Sequence, residues 1–326
     1  MSTMIRHCML AATLASSAPL LAQTVTTRLD PVAGVPDIDK TTQTEDVQFK
    51  NRDERMTVPV RLAGAGPYQF LVDTGADRTA VSRQLVTRLK FPSAGGVELH
   101  SLSGVSSVGT AKIENVLLTK TPATIDAAVL EGANMGADGI VGVDLLSSQR
   151  VQFDFDKQTM SIVPAATPEV IEDRNSIVVR AKRKNGRLVI TDAVANDERL
   201  TVVLDTGSQI TVGNEALRRR LSDNLVDVAQ TVELESVTGQ KIVGSYMFIK
   251  QLSIGGVNLT NLAVVFTDAH TFKQLGLDKR PALLLGMNAI RAFKRVSIDF
   301  ANRKLRVVLP EHSELDVRLA DARGAN

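Results

Sequence analysis

The chain holds one cysteine in 326 residues, no tryptophan and two tyrosines. That cysteine, Cys8, lies in the N-terminal segment, so everything after it is without disulfides, thiol nucleophiles and thiolate metal sites. An excess of charge of one sign is also missing. With 38 Lys and Arg against 36 Asp and Glu, the formal charge of +2 offers no electrostatic footprint for a nucleic acid. The basic runs Arg218-Arg219-Arg220 and Lys182-Arg183-Lys184 read as solvated positions on a helix and beside a turn. Beyond residue 22 no apolar stretch is long enough to cross a membrane as a helix. Gly-x-Ser-x-Gly, His-Glu-x-x-His and phosphate-binding glycine loops are absent, and Gly64-Ala65-Gly66 reads as a hairpin turn. Serine-nucleophile, zinc-dependent and nucleotide-driven chemistries therefore have no support, and neither a cofactor nor a metal site is expected. Aromatic residues make up 4%, which implies that any binding cleft is lined by aliphatic side chains.

At the N-terminus, Arg6 and His7 precede an apolar, small-residue run from Cys8 to Ala22, the order of a secretory signal. Ser16-Ser17-Ala18 and Leu20-Leu21-Ala22 are alternative cleavage sites. Cys8 lacks the small-residue run before it that lipid attachment would need. Loss of residues 1–22 removes Arg6 and no acid, taking the charge from +2 to +1. Residues 23–45, with Pro31, Gly34 and Pro36, show no hydrophobic period and read as an extended leader, with ordered structure from about Asp46. The product is expected to be exported, to a bacterial periplasm or the extracellular space.

What is present is a repeat. Phe70-Leu71-Val72-Asp73-Thr74-Gly75-Ala76 returns as Val202-Val203-Leu204-Asp205-Thr206-Gly207-Ser208. The first copy opens on a hairpin, Met56–Leu62 and Tyr68–Val72 around Gly64-Ala65-Gly66-Pro67. The second opens with Ile177–Ala181 and turns at Asn185-Gly186, the strongest short hairpin signal. A helix follows each Asp-Thr-Gly, over Ser82–Leu89 and Asn214–Leu221, with Ser82 and Asn214 as N-caps. Val97–Gly104 and Val232–Gly239 then form matching hairpins with Ser103-Gly104 and Thr238-Gly239 at their turns, 31 and 34 residues after their aspartates. Both copies close on two apolar residues, a glycine (Gly142, Gly286), a short helix and a strand. An internal repeat of this kind defines the architecture. The expected division is 46–165 and 166–310 for two lobes, with 311–326 as a tail.

The chemistry follows from pairing the two aspartates. An Asp at the end of an apolar strand stands at the mouth of a core, the Thr hydroxyl can fix the turn, and Gly admits another chain. A pseudo-two-fold axis that brings Asp73 and Asp205 together leaves one shared proton, because adjacent carboxylates cannot both ionise. One carboxyl then activates a water while the other protonates the carbonyl oxygen of an amide. Ser208 beside Asp205 would favour its ionised form, which Ala76 cannot do for Asp73, so the charge is expected on Asp205 and the proton on Asp73.

These residues resemble the aspartic proteases of the pepsin and retropepsin group, over roughly Asp46 to Leu309. The resemblance implies an all-β, bilobal acid-protease fold with a few short helices, and an endopeptidase with Asp73 and Asp205 as the catalytic pair. It further implies that Thr74 and Thr206 brace the loops, with support from Ala76, Ser208, Gly142 and Gly286. Gly75, Gly207 and Asp77, with the hairpin-tip residues Ser103, Gly104, Thr238 and Gly239, would lie against a bound peptide. The first loop reads Asp-Thr-Gly-Ala-Asp, which looks retroviral, and the second Asp-Thr-Gly-Ser, which looks like pepsin. Neither hairpin carries the Tyr-Gly pair of pepsin flaps. The closest description is two retropepsin-like units fused in one chain, expected to act as a monomer on peptide or protein substrates. A non-catalytic peptide-binding module on the same fold is the alternative.

Other residues invite a role. Nothing in the sequence places His100 near His270, and both read as surface or edge histidines. Asp77 is expected either to meet substrate or to pair with Arg78. Asp154 and Asp299, near Arg150 and Arg295, are expected to be structural.

Overall fold

The computed structural model describes residues 56–169, 176–221 and 225–310, and the backbone of 25–28; for 225–229 it likewise gives the backbone alone. The expected signal segment, most of the leader and the C-terminal tail lie outside the described residues.

The first half is a seven-stranded sheet. Its opening hairpin pairs Thr57–Leu62 with Ala65–Val72 and alternates as a half-buried strand must, with Val58, Val60 and Leu62 inward. Gly139–Val141 runs parallel to the second strand, placing Val72 opposite Val141, and Ala80–Ser82 runs antiparallel on its far side. Asp73 therefore leaves the sheet at a buried strand end. Helix Arg83–Leu89 starts at Ser82, whose Oγ accepts the Leu85 N–H, a cap worth about 1 kcal/mol. The long hairpin Ser93–His100 and Val105–Leu117 forms the sheet edge.

The second half repeats this plan with eight strands. Glu198–Leu204 runs into Asp205, Ala282–Leu285 is parallel to it, and Thr211–Gly213 lies antiparallel beyond. Asn214 caps helix Glu215–Leu221 through its Oδ1 and the Leu217 N–H. The matching edge hairpin is Leu225–Glu235 and Lys241–Ile254.

A third sheet, of six strands, joins the halves. Its order is Val25–Arg28, Thr159–Pro164, Gln149–Asp154, Arg295–Asp299, Lys304–Val308 and Ser176–Arg180. At its centre Arg150 faces Asp299 and Asp154 faces Arg295, so the two Arg–Asp pairs form between halves, each at 3.9 Å. Phe153, Met160, Ile162 and Ile298 are buried in the core cluster that spans both halves. Each large side chain so buried contributes about 2 kcal/mol of transfer free energy.

Two expectations are corrected here. Ile177–Ala181 is not the first arm of a hairpin: Ser176–Arg180 pairs with Lys304–Val308. Asn185-Gly186 instead joins the short strand Lys182–Lys184 to Arg187, with both turn residues at positive φ. The counterpart of Met56–Leu62 is Arg187–Ala195, which turns at Asn196-Asp197, also at positive φ. Equally, ordered structure does not wait for Asp46. Val25–Arg28 pairs with Thr159–Pro164 as the two-fold equivalent of Ser176–Arg180. A four-residue edge strand is too short to show a period, and its partner lies far along the chain.

Candidate active site

The two Asp-Thr-Gly loops meet at the pseudo-two-fold axis. Each aspartate is tied to its supporting strand, with the Asp73 N–H donating to Val141 O at 3.0 Å and the Asp205 N–H to Leu285 O at 3.1 Å. The threonines lock the loops to each other. Thr74 Oγ1 donates to Leu204 O at 2.9 Å and accepts the Thr206 N–H at 3.1 Å. Thr206 Oγ1 donates to Val72 O at 2.7 Å and accepts the Thr74 N–H at 3.1 Å. Thr74 is fully buried, so this four-bond exchange satisfies backbone groups that no water reaches.

Gly75 and Gly207 have a steric reason. A methyl at Gly75 would sit 2.7 Å from Asp205 Oδ1, and one at Gly207 would overlap the Asp73 carboxyl. Each glycine thus makes room for the opposite aspartate, and its N–H donates to the carboxyl of its own loop: Gly75 to Asp73 at 2.7 Å, Gly207 to Asp205 at 3.1 Å. Burial, then the charge of Asp73, push the Asp205 carboxyl up to about 7, against the opposing pull of Arg187 and the N–H groups of Gly207 and Ser208. The hydroxyl contact expected to favour charge on Asp205 is not made. Ser208 Oγ donates to Ile210 O at 2.7 Å, so it is the backbone of Ser208 that acts on Asp205. Burial and mutual repulsion thus keep one proton shared by the pair near neutral pH.

Ala76 and Ser208 support the loops through their carbonyls, which accept the N–H of Val143 and Met287 at 2.9 Å each. Gly142 and Gly286 lie hard against Arg78-Thr79 and Ile210-Thr211, where a Cβ would meet backbone at 2.6 and 2.5 Å. Two residue pairs that sequence reasoning missed complete this layer. Thr79 bonds the Asp144 carboxylate through its N–H and Oγ1, and Thr211 bonds Asn288 Oδ1 in the same way. The signal was available. Both threonines lie six residues after their aspartates, and both acceptors lie two after their glycines.

Arg187 was also missed. The residue is 2% exposed, and its guanidinium donates to Gly75 O at 2.6 Å, pairs with Asp77 Oδ1 at 3.1 Å and meets Gln274 Oε1 at 3.2 Å. Asp77 is therefore paired with Arg187 and Gln274, and not with Arg78, which donates to Asp126 O. An arginine opening a strand carries no motif, so nothing in the sequence distinguished it.

The hairpin tips cross over the axis and meet. Ser103 Oγ lies 2.9 Å from Ser236 Oγ and 3.0 Å from Gln240 Oε1, and Thr238 Oγ1 lies 2.8 Å from Ser236 Oγ. Leu102 packs on the second half's cluster of Ile210, Phe272 and Leu284, while Val237 packs on the first half's Leu71, Leu130 and Ile140. Gly239 lies against Asn134, and Gly104 near Gln240. His100 and His270, which the sequence left apart, stack at this junction with Nδ1 and Nε2 2.8 Å apart. A cavity of about 10 Å³, room for about one water, lies beneath the tips against Asp73, Thr206, Gly207 and Val237. Among the described residues, no group of three or more His, Cys, Asp or Glu is placed to hold a metal ion.

A doubled Asp-Thr-Gly loop, a reciprocal threonine lock and a pair of covering hairpins define the aspartic protease class. Residues 58–148 match the family model described as gag-polyprotein putative aspartyl protease, and residues 191–289 match the one described as Aspartyl protease. No curated protein matches the chain. With two such domains in tandem, the chain belongs to the retropepsin-like aspartic proteases, in a two-lobed form, and a general protease function goes with that membership.

Proposed function

We propose that the chain is an aspartic endopeptidase whose catalytic pair is Asp73 and Asp205. The observation that carries this reading is the mutual contact of the two loops, each glycine seated against the opposite carboxyl. Near neutral pH the pair shares one proton, and in the reaction Asp205 is the acid and Asp73 the base. The Asp73 carboxylate takes a proton from the water, whose oxygen attacks the amide carbon, while Asp205 protonates the carbonyl oxygen. A neutral tetrahedral diol forms. Its collapse breaks the C–N bond, with a proton passing to the leaving nitrogen and the pair returning to its singly protonated state.

Peptide entry requires the hairpin tips to part, since they lie over Asp73 and its cavity. That closure is the one observation favouring a second reading, a module that holds peptides without turnover. We further propose export of the protein, on the strength of the Arg6 to Ala22 segment, and action as a monomer, since both loops come from one chain. The test is cleavage of a mixed peptide library by processed protein from acidic to neutral pH, with Asp73→Asn and Asp205→Asn as controls and pepstatin as a transition-state mimic. Cleavage lost in both variants and blocked by pepstatin is expected. Folded protein that binds peptides and cuts none at any pH would favour the binding module.

A further inference from the structure

We propose that the His100–His270 pair is an acid-released latch on the first hairpin: it holds the tip closed over Asp73 at neutral pH, and protonation of both rings opens the cleft to peptide. The two rings come from opposite halves. His100 ends the strand Ser93–His100, and His270 opens the helix His270–Gln274. Their Nδ1 and Nε2 atoms are 2.8 Å apart, and beside them the His270 N–H donates to Leu102 O at 2.9 Å. Leu102 packs on the second half's apolar cluster, and Ser103 meets Ser236 and Gln240. Whatever loosens the imidazole contact therefore loosens the strand that carries this tip over the cavity at Asp73.

A hydrogen bond between two imidazoles needs one lone pair. With no proton or one proton added, one ring donates and the other accepts; with both rings protonated, each nitrogen carries a hydrogen and the bond becomes a repulsion between cations. His100 is exposed and His270 half-buried, so solvent protons reach both. On the helix of His270 the charged neighbour is Lys273, held to Asp268 at 3.0 Å, and at its far end Gln274 meets Arg187 and Asp77. On the strand of His100 the same face carries Glu98, with the uncharged Val105 and Ser107 opposite the two. Burial, then His100 and Lys273, lower the His270 pKa, so the latched state is favoured above the ordinary histidine value of about 6.5 and is lost as pH falls through and below it. The hydroxyl contacts of Ser103 do not titrate in this range. The second hairpin has no such pair: the exposed Glu235 stands where His100 stands, and the short helix of the first half opens on Gly132. The pH response thus belongs to the first hairpin.

The effect on turnover rests on the endopeptidase reading; the opening of the hairpin does not, and the test separates the two. Cys8 is the chain's one cysteine. In a Cys8→Ser background, Val105→Cys beside the tip, at a position 43% exposed, and Lys279→Cys at an exposed position of the second half therefore take a pair of spin labels without interference. Pulsed electron resonance on the full chain should give one distance at about pH 7.5 and an added, longer one at about pH 5. His270→Phe keeps a flat ring and removes the titrating nitrogens, so its distances should be the same at both pH values; His100→Phe should behave alike and serves if His270→Phe does not fold. On a cleaved peptide, His270→Phe should lower KM roughly 5-fold near pH 7 with kcat little changed, because a closed fraction weakens apparent affinity, and should match the parent in acid. A parent that cleaves nothing yet opens in acid, with the opening lost in the Phe variants, fails the endopeptidase reading and upholds the latch. Label distances unchanged in the parent between the two pH values, or an acid opening that survives in both Phe variants, overturn the proposal.

Discussion

His100 Nδ1 and His270 Nε2 lie 2.8 Å apart, their rings stacked at 5.1 Å and within 10° of parallel, so the first hairpin is fastened to the second half by an imidazole pair. The His270 N–H reinforces the contact by donating to Leu102 O at 2.9 Å. Burial lowers the pKa of His270, helped by His100 and by Lys273, which is itself paired with Asp268. A histidine whose folded pKa is lowered favours the folded arrangement above its ordinary value of about 6.5 and loses that contribution as pH falls through and below it. Amide exchange at Leu102 and Ser103, corrected for intrinsic rates, should therefore show protection at neutral pH that fades towards pH 5. Replacing His270 with Phe should remove the pH dependence; a retained dependence would show that another group governs it.

The threonine lock should be more sensitive to loss of the hydroxyl than to loss of the methyl. Thr206→Val leaves Val72 O and the Thr74 N–H buried without partners, a cost of about 1–3 kcal/mol for each. Thr206→Ser keeps both bonds. Urea unfolding should place the Val variant well below the parent and the Ser variant close to it, and equal losses would mean that packing matters more than the bonds.

Gly75 should be coupled to Asp205 by exclusion. Gly75→Ala puts a methyl 2.7 Å from Asp205 Oδ1 and should destabilise the fold as well as abolish turnover. In the double variant with Asp205→Ala, that collision is gone. A double-mutant cycle should then give an interaction of at least about 0.5 kcal/mol in favour of the pair, and additivity would mean that the loops spread freely instead.

Ser208→Ala should leave the titration of the catalytic pair in place. Its hydroxyl is committed to Ile210 O, and the group acting on Asp205 is the backbone N–H, which alanine retains. The upper limb of the pH–rate profile, set by the loss of the pair's shared proton, should coincide for variant and parent. A displaced limb would mean that the hydroxyl turns towards the carboxyl in solution.

Much of this arrangement was legible because it is local and written twice. Apolar strands running into Asp73 and Asp205, capping residues Ser82 and Asn214, and glycines Gly142 and Gly286 each announce themselves within a few residues. Contacts made by distant side chains did not. His100 and His270 are 170 residues apart, and Arg187 reaches a loop of the other half from a strand with no distinguishing pattern. The second hairpin was misassigned because Ile177–Ala181 is as β-branched as any arm of a hairpin, and only its pairing with Lys304–Val308 reveals its place. The Ser208 hydroxyl misled for a different reason. Sequence adjacency to Asp205 says nothing about which acceptor a rotatable O–H will choose, and Ile210 O satisfied it first.

The six-stranded sheet carries a consequence for how the molecule holds together. Its central seam, Gln149–Asp154 against Arg295–Asp299, is antiparallel, and Arg150 and Asp154 meet Asp299 and Arg295 in exchanged order. This is the geometry of an isologous contact between subunits, formed inside a single chain. Covalent connection of the two halves therefore raises the local concentration of two pieces that already recognise each other. The two halves expressed as separate chains should assemble as a noncovalent heterodimer with both aspartates in place.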